Sequence, residues 1–153
     1  MEHWRERIYT AIKRGGLDPD NIPNLNISIK KSSEQLIKES SVIVGINSTS
    51  LIESKLMKRN VIITVFAEAK GKYFKKHVNF KKYFNKAFYI VNSTNKLLKA
   101  IDDGIKGKLP KQTCPKELIY DIYGFFDGKT KDRIYKEINE TIKYSNKDYN
   151  YIN

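Results

Sequence analysis

The sequence predicts an α/β fold, a Rossmann-like parallel sheet of about four strands with helices on both faces, followed by C-terminal helices. Three observations predict it. Between Val42 and Val65 the chain reads VIVGINSTSLIESKLMKRNVIITV, an apolar run, a small hydroxyl-rich turn, a helical segment and a second apolar run. A run such as Val42 to Ile46 has the uniform apolarity of a strand covered on both sides, as in a parallel sheet. Strand-like and helix-like segments alternate along most of the chain, which implies right-handed crossovers. The length of 153 residues suits one core and is too short for two complete Rossmann-like halves.

Each element has a local reason. Trp4, Ile8 and Ile12 fall on one helical stripe, and Gly15-Gly16 ends that helix. The chain opens on this helix with no strand before it, as a piece of something longer would. Leu25 to Ile29 alternates apolar and polar residues and reads as a strand. Ser32 or Ser33 caps a short helix running through Glu39, and Val42 to Ile46 is the next strand. Thr49 to about Lys58 reads as a helix, Val61 to Phe66 and Ala87 to Val91 as strands. Ser93 opens a helix with Leu97, Leu98, Ile101 and Ile105 on one face. The stretch through Lys108, Pro110 and Pro115 is turn-prone and connects to an aromatic helix from about Lys116 to Tyr123. Thr130 is expected to cap a last helix carrying Ile134, Ile138 and Ile142, and the tail from Ser145 is expected to fray. These elements group as residues 1–109, the sheet domain; residues 110–144, C-terminal helices packed on it; and residues 145–153, the tail.

A formal net charge of +12 favours an anionic partner. Cys114, the single cysteine, excludes an internal disulfide and a cysteine-based zinc cage, and fits a reducing cytoplasm. No apolar run approaches the roughly 20 residues of a membrane span, and Met1 leads into the charged HWRER rather than a leader. The expectation is a cytoplasmic protein able to lie on a membrane surface.

The turn Asn47, Ser48, Thr49, Ser50 is the strongest candidate site. Short hydroxyl side chains at the start of a helix, with its free N–H groups and the positive end of its dipole, form a phosphate-sized anion site without metal or cofactor. Glu53 follows three residues after Ser50. It reads either as the acid of a capping box with Ser50 or as an acceptor for ribose hydroxyls beside the phosphate.

The segment SSVIVGINSTSLIESKLMKRNVI resembles the C-terminal-domain motif of GT-B glycosyltransferases, including the transferases of capsule, lipopolysaccharide and teichoic-acid polymers. In that group a strand leads into a Ser-Thr turn with a Glu four residues beyond the Thr, then a helix and a second strand. The resemblance runs from Leu25 to about Ile101, with a weaker echo at Asp127-Gly128-Lys129. Asn60 stands where the group usually has proline before the second strand, and His3 is followed by Trp4 where many of these enzymes carry His-Pro. The resemblance implies a nucleotide sugar or nucleotide diphosphate held by Ser48, Thr49 and Ser50, with Glu53 on the ribose. It also implies that catalysis needs a second, N-terminal half or a partner subunit, so no catalytic residue is named.

A second candidate is KGKYFKKHVNFKKYFNK, residues 70–86, with seven lysines, no acid and interleaved aromatics. Lys72, Lys75, Lys76, Lys81 and Lys82 there suit an anionic membrane surface, and less well a nucleic-acid strand gripped between aromatic platforms. The alternative is a solvated basic face over aromatic core contacts. His77 has no carboxylate partner suggested by the sequence, and no metal-ligand or triad spacing occurs.

Overall fold

A computed structural model describes residues 2–28, 30–72, 76, 78, 80–125 and 127–148, the side chains of residues 2–4, 68 and 144–148 excepted. The chain divides into two compact units, Met1–Ser40 and Ser41–Asn153.

In the first unit, α1 spans Glu2–Arg14. It ends in a Schellman motif: the Leu17 N–H donates to the Ile12 carbonyl and the Gly16 N–H to that of Lys13, with Gly16 at φ 79°, a conformation that glycine adopts without a Cβ clash. Of the expected stripe, Ile12 is half-buried and Ile8 exposed, while the Trp4 side chain lies outside the described residues. A 3-10 turn at Pro19–Asn21 is capped by Asp18, and α2 covers Ser33–Glu39. Ser32 caps α2 in a reciprocal box with Gln35. The strand expected from Leu25 to Ile29 is not formed: residues 25–28 have no regular structure, and Ile29 lies outside the described residues. Alternation signals a strand only where a neighbouring ladder takes up its N–H and C=O groups. Here Asn24, at φ 63°, turns the backbone just before Leu25.

The second unit holds the sheet. Among the described residues it has three parallel strands, β1 Val42–Gly45, β2 Asn60–Thr64 and β3 Tyr89–Val91, in the order β1-β2-β3. Val42 pairs with Asn60 and Ile62 with Tyr89. The centre strand, and not β1, is the one buried on both faces. Residues Val61 through Thr64 are all buried, whereas Val44 on the edge strand is 43% exposed.

Alternation along β2 sorts the core into two layers. Val61 and Ile63 face one side, where they meet Leu51 and Ile52 of α3, Thr49–Leu56, together with Phe80, Phe88 and Leu118. Ile62 faces the other side with Val91, Ala100 and Leu109. Both connections, β1 to β2 and β2 to β3, pack on the first side, as crossovers of one hand moving the same way across a sheet must.

The β2–β3 connection runs through 3-10 turns at Ala67–Lys70 and Lys81–Tyr83 and a single helical turn, α4, at Phe84–Ala87. Helix α5, Thr94–Ile105, returns beneath the sheet, capped by Ser93. Its core-facing stripe is Ala100 and Gly104, buried, with Leu97 and Ile101, half-buried, while Leu98 and Ile105, expected on the core face, are 61% and 64% exposed. The spacing i, i+3, i+4, i+7 is kept, but small residues hold half its positions because α5 lies close against β1. A Cβ on Gly104 would come within 2.6 Å of Val42 Cγ2. Asn60 donates from its side-chain amide to the Gly104 carbonyl at 3.2 Å, tying the head of β2 to the end of α5.

Two helices follow. Helix α6, Lys116–Tyr123, is anchored by Leu118, which is fully buried in the first layer. Helix α7, Thr130–Asp148, begins at Thr130, so Thr130 is inside the helix rather than its cap, and the helix runs past Ser145, where fraying was expected. Its Ile134, Ile138 and Ile142 are each more than half exposed. Arg133 grips Asp127 with two nitrogens, at 2.9 and 2.8 Å, and lies over the Phe125 ring. Among the described residues no helix is long and apolar enough to cross a membrane.

Candidate functional site

At the carboxyl end of β1 the chain leaves the sheet through Ile46 and Asn47 and enters α3 at Thr49. Ser48 is the N-cap: its Oγ accepts the Ser50 N–H at 3.3 Å, and its carbonyl accepts the Leu51 N–H. Two first-turn donors are thereby satisfied. The Thr49 N–H has no intrahelical acceptor, and the Ser48 hydroxyl, accepting from Ser50, keeps its own proton to donate.

The capping box read between Ser50 and Glu53 does not form. Glu53 sits more than one turn inside α3, and the first turn carries no acid. The Ser50 carbonyl instead accepts from Ser54 Oγ at 2.6 Å. Burial first and the Glu53 charge second push the Tyr123 phenol of α6 above its usual range.

Asn47, Ser48 and Thr49 form one wall of an open cavity of about 660 Å³; Phe80, Lys82, Asp121 and Ile122 form the other. Neither Ser50 nor Glu53 lines it. Two segments that the sequence reading kept apart, the hydroxyl turn and the lysine-rich stretch, therefore meet here through Lys82. The lysine is held by Asp121 of α6, whose carboxylate also accepts the Tyr83 hydroxyl at 2.6 Å. The Asp121 bond first and the Tyr83 oxygen second hold the Lys82 ammonium above its ordinary range, while Lys82 and then Tyr83 hold the Asp121 carboxyl below its own. The site thus offers hydroxyl and N–H donors on one wall and an ion pair on the other. Asp121 and Ile122 were missed in the sequence because nothing local marks them: they line the cavity only by facing a turn some 70 residues earlier.

The rest of the lysine segment is a basic surface. Lys72, Lys76 and Lys81 are exposed, and Lys75, His77, Tyr73 and Phe74 lie outside the described residues. Phe80 and Tyr83 are buried and Phe84 packs on the same core, the three phenylalanines Phe80, Phe84 and Phe88 lying 5.5 to 6.4 Å apart. These aromatics are core contacts and present no stacking platform to solvent.

Asp127 takes both guanidinium nitrogens of Arg133 and the Lys129 N–H, which hold its carboxyl far below the ordinary range. The Asp127-Gly128-Lys129 segment is a turn that starts α7. Among the described residues no group of three His, Cys, Asp or Glu is placed to hold a metal ion.

Compared with protein-family models, with curated proteins and with solved structures, the chain matches none.

Proposed function

We propose that the chain is the nucleotide-sugar-binding domain of a GT-B-like glycosyltransferase of surface polysaccharide biosynthesis, cytoplasmic and able to work at the membrane surface. The observation that carries this reading is the cavity at the carboxyl end of β1, where open α/β sheets take their ligands. Asn47, Ser48 and Thr49 hold the diphosphate at the positive end of α3. Lys82 releases part of its contact with Asp121 to the phosphate, and the freed carboxylate accepts ribose or sugar hydroxyls. Asp121 thus takes the role that the resemblance assigned to Glu53. The cavity is open, so an opposite domain or partner subunit completes the cleft and brings the acceptor and the catalytic base.

Uridine or cytidine diphosphate added to the labelled protein is expected to shift the amides of Asn47, Ser48, Thr49, Lys82 and Ile122 in a saturable way. Thr49→Ala should weaken binding by about 1 kcal/mol, roughly fivefold; Lys82→Gln should weaken it too, and less so at high salt, since the Lys82 side chain is two-thirds exposed and solvent screens its charge. Saturable binding that leaves those five amides unmoved would remove the proposal. Alone, the chain is expected to transfer no sugar, because nothing excludes water or orients an acceptor; multiple turnover by the purified protein would relocate the catalytic groups within it.

The basic surface as a binding module for membrane or nucleic acid ranks second. Its described aromatics are turned into the core, so its lysines retain only a salt-screened attraction.

A further inference from the structure

A second cavity, of about 630 Å³, opens at the opposite end of the sheet, where α3 ends, β2 begins and the connector after α5 passes. Its lining includes Lys55, Lys58, Arg59 and Lys111, with Leu109 and Cys114 as apolar wall, and it contains no acid. Lys55 is the unusual member. It is 9% exposed, its Nζ donates to the Gln112 carbonyl at 3.1 Å, and burial lowers its pKa from the ordinary lysine value. Among the described residues no carboxylate pairs with Lys55, Lys58 or Lys111. A lysine ammonium withdrawn from water without a counter-charge is costly, and an anion beside it removes that cost.

Lys58 adds an independent sign. It occupies the C′ position of α3, donating its N–H to Lys55 and followed by Arg59 donating to Ser54, the paired bonds of a Schellman motif. That position sits at φ 58°, where glycine is the favoured residue, yet a lysine aimed at the cavity stands there. A strained backbone retained for its side chain is a mark of functional sites.

We propose that this cavity is a binding site for an oligoanionic phosphate group, separate from the hydroxyl-turn site. Lys55 supplies the desolvated charge, Lys58, Arg59 and Lys111 ring the phosphates, and Leu109 with the Cys114 side chain gives an organic portion an apolar surface. The helix C-termini nearby also favour cations, and that is the competing account of why lysines gather here.

The test is a titration of the labelled full chain with inorganic pyrophosphate, and separately with a nucleoside diphosphate, at physiological chloride. Saturable shifts are expected at residues 55–60 and 111–114, apart from those at residues 47–49, 82 and 122 that report the other site, so either site can fail alone. Tighter binding of the nucleoside diphosphate at residues 55–60 would assign an organic phosphate; equal binding would assign the phosphates alone. Lys55→Met should weaken pyrophosphate binding about tenfold and Lys111→Gln, at an exposed position, roughly fivefold; Lys96→Gln, outside the cavity lining, should not. Lys58→Gly should melt at a higher temperature while binding more weakly. Bound pyrophosphate should also slow alkylation of Cys114, the only thiol in the chain, and Lys55→Met should abolish that protection. A linear, unsaturable response shared by all surface lysines, or unchanged affinity in both Lys55→Met and Lys111→Gln, would overturn the proposal and leave the lysines as complements to the helix ends.

Discussion

Asp121 shows how much one side chain can organise. Its carboxylate accepts the hydroxyl of Tyr83, 38 positions earlier in the chain, and pairs with Lys82. Asp127 is held in a similar way by Arg133 and the Lys129 N–H. Both carboxyls titrate below their ordinary range for those reasons. A carboxyl whose folded value is depressed stabilises the fold while it is ionised. Its contribution is full above the unfolded value, about pH 4, and is lost as pH falls through the folded value. The melting temperature should therefore drop from pH 5 downward, and Asp121→Asn combined with Asp127→Asn should flatten that drop. Equal acid sensitivity in the double variant would show that other carboxyls set it. These pairs lie at the surface, so their effect appears in the pH profile more than in overall stability.

Elements are held by caps and close contacts that can be tested one at a time. Ser48 caps α3 through the Ser50 N–H, so Ser48→Ala should destabilise by about 1 kcal/mol and Ser48→Gly by a few tenths, measured by denaturant unfolding. At the other end of the same helix, Lys58→Gly removes a left-handed strain of roughly 1–2 kcal/mol but loosens the unfolded chain by roughly 0.5–1, for a net gain of about 0.5 kcal/mol. Gly104→Ala should be destabilising by about 1–3 kcal/mol despite alanine's helix preference, because its methyl would press on Val42 Cγ2 and on Leu109 Cδ1, 3.1 Å away. A neutral result would mean that edge strand β1 moves aside. Such contacts explain why the α5 stripe was misread. Leu98 and Ile105 are apolar, yet the face that meets the sheet is chosen by which side can come close, and Ala100 with Gly104 provides it.

At the scale of the molecule, Leu118 joins α6 to the sheet. It is the α6 residue fully buried among Leu51, Ile63 and Phe88, and the helix it anchors carries Asp121 and Ile122 to the first cavity. Leu118→Ala should cost about 2–5 kcal/mol by chemical denaturation. It should also weaken nucleoside diphosphate binding although Leu118 does not line the site. Loss of stability with binding intact would show that the turn binds without the α6 wall.

What the sequence by itself determined is local. The hydroxyl turn, the caps at Ser32 and Ser93, the glycine stop after α1 and the alternation of strand and helix depend on neighbours within a few residues, and spacing encodes them directly; the cap of α3 was read late, at Ser50 instead of Ser48. The apolar run from Val61 to Phe66 likewise announced a strand, found at Asn60–Thr64. What only the tertiary structure decided is which distant groups meet. The order β1-β2-β3 made Val42–Gly45 an edge strand, and the lack of a ladder partner left residues 25–28 without a strand. Packing of α6 brought Asp121 to Lys82 and left Glu53 outside the cavity, and the end of α3 buried Lys55 beside Cys114. These outcomes follow from crossovers and close packing over tens of residues, where no periodicity reaches, so the hydroxyl turn was legible while its opposite wall and the second cavity were not.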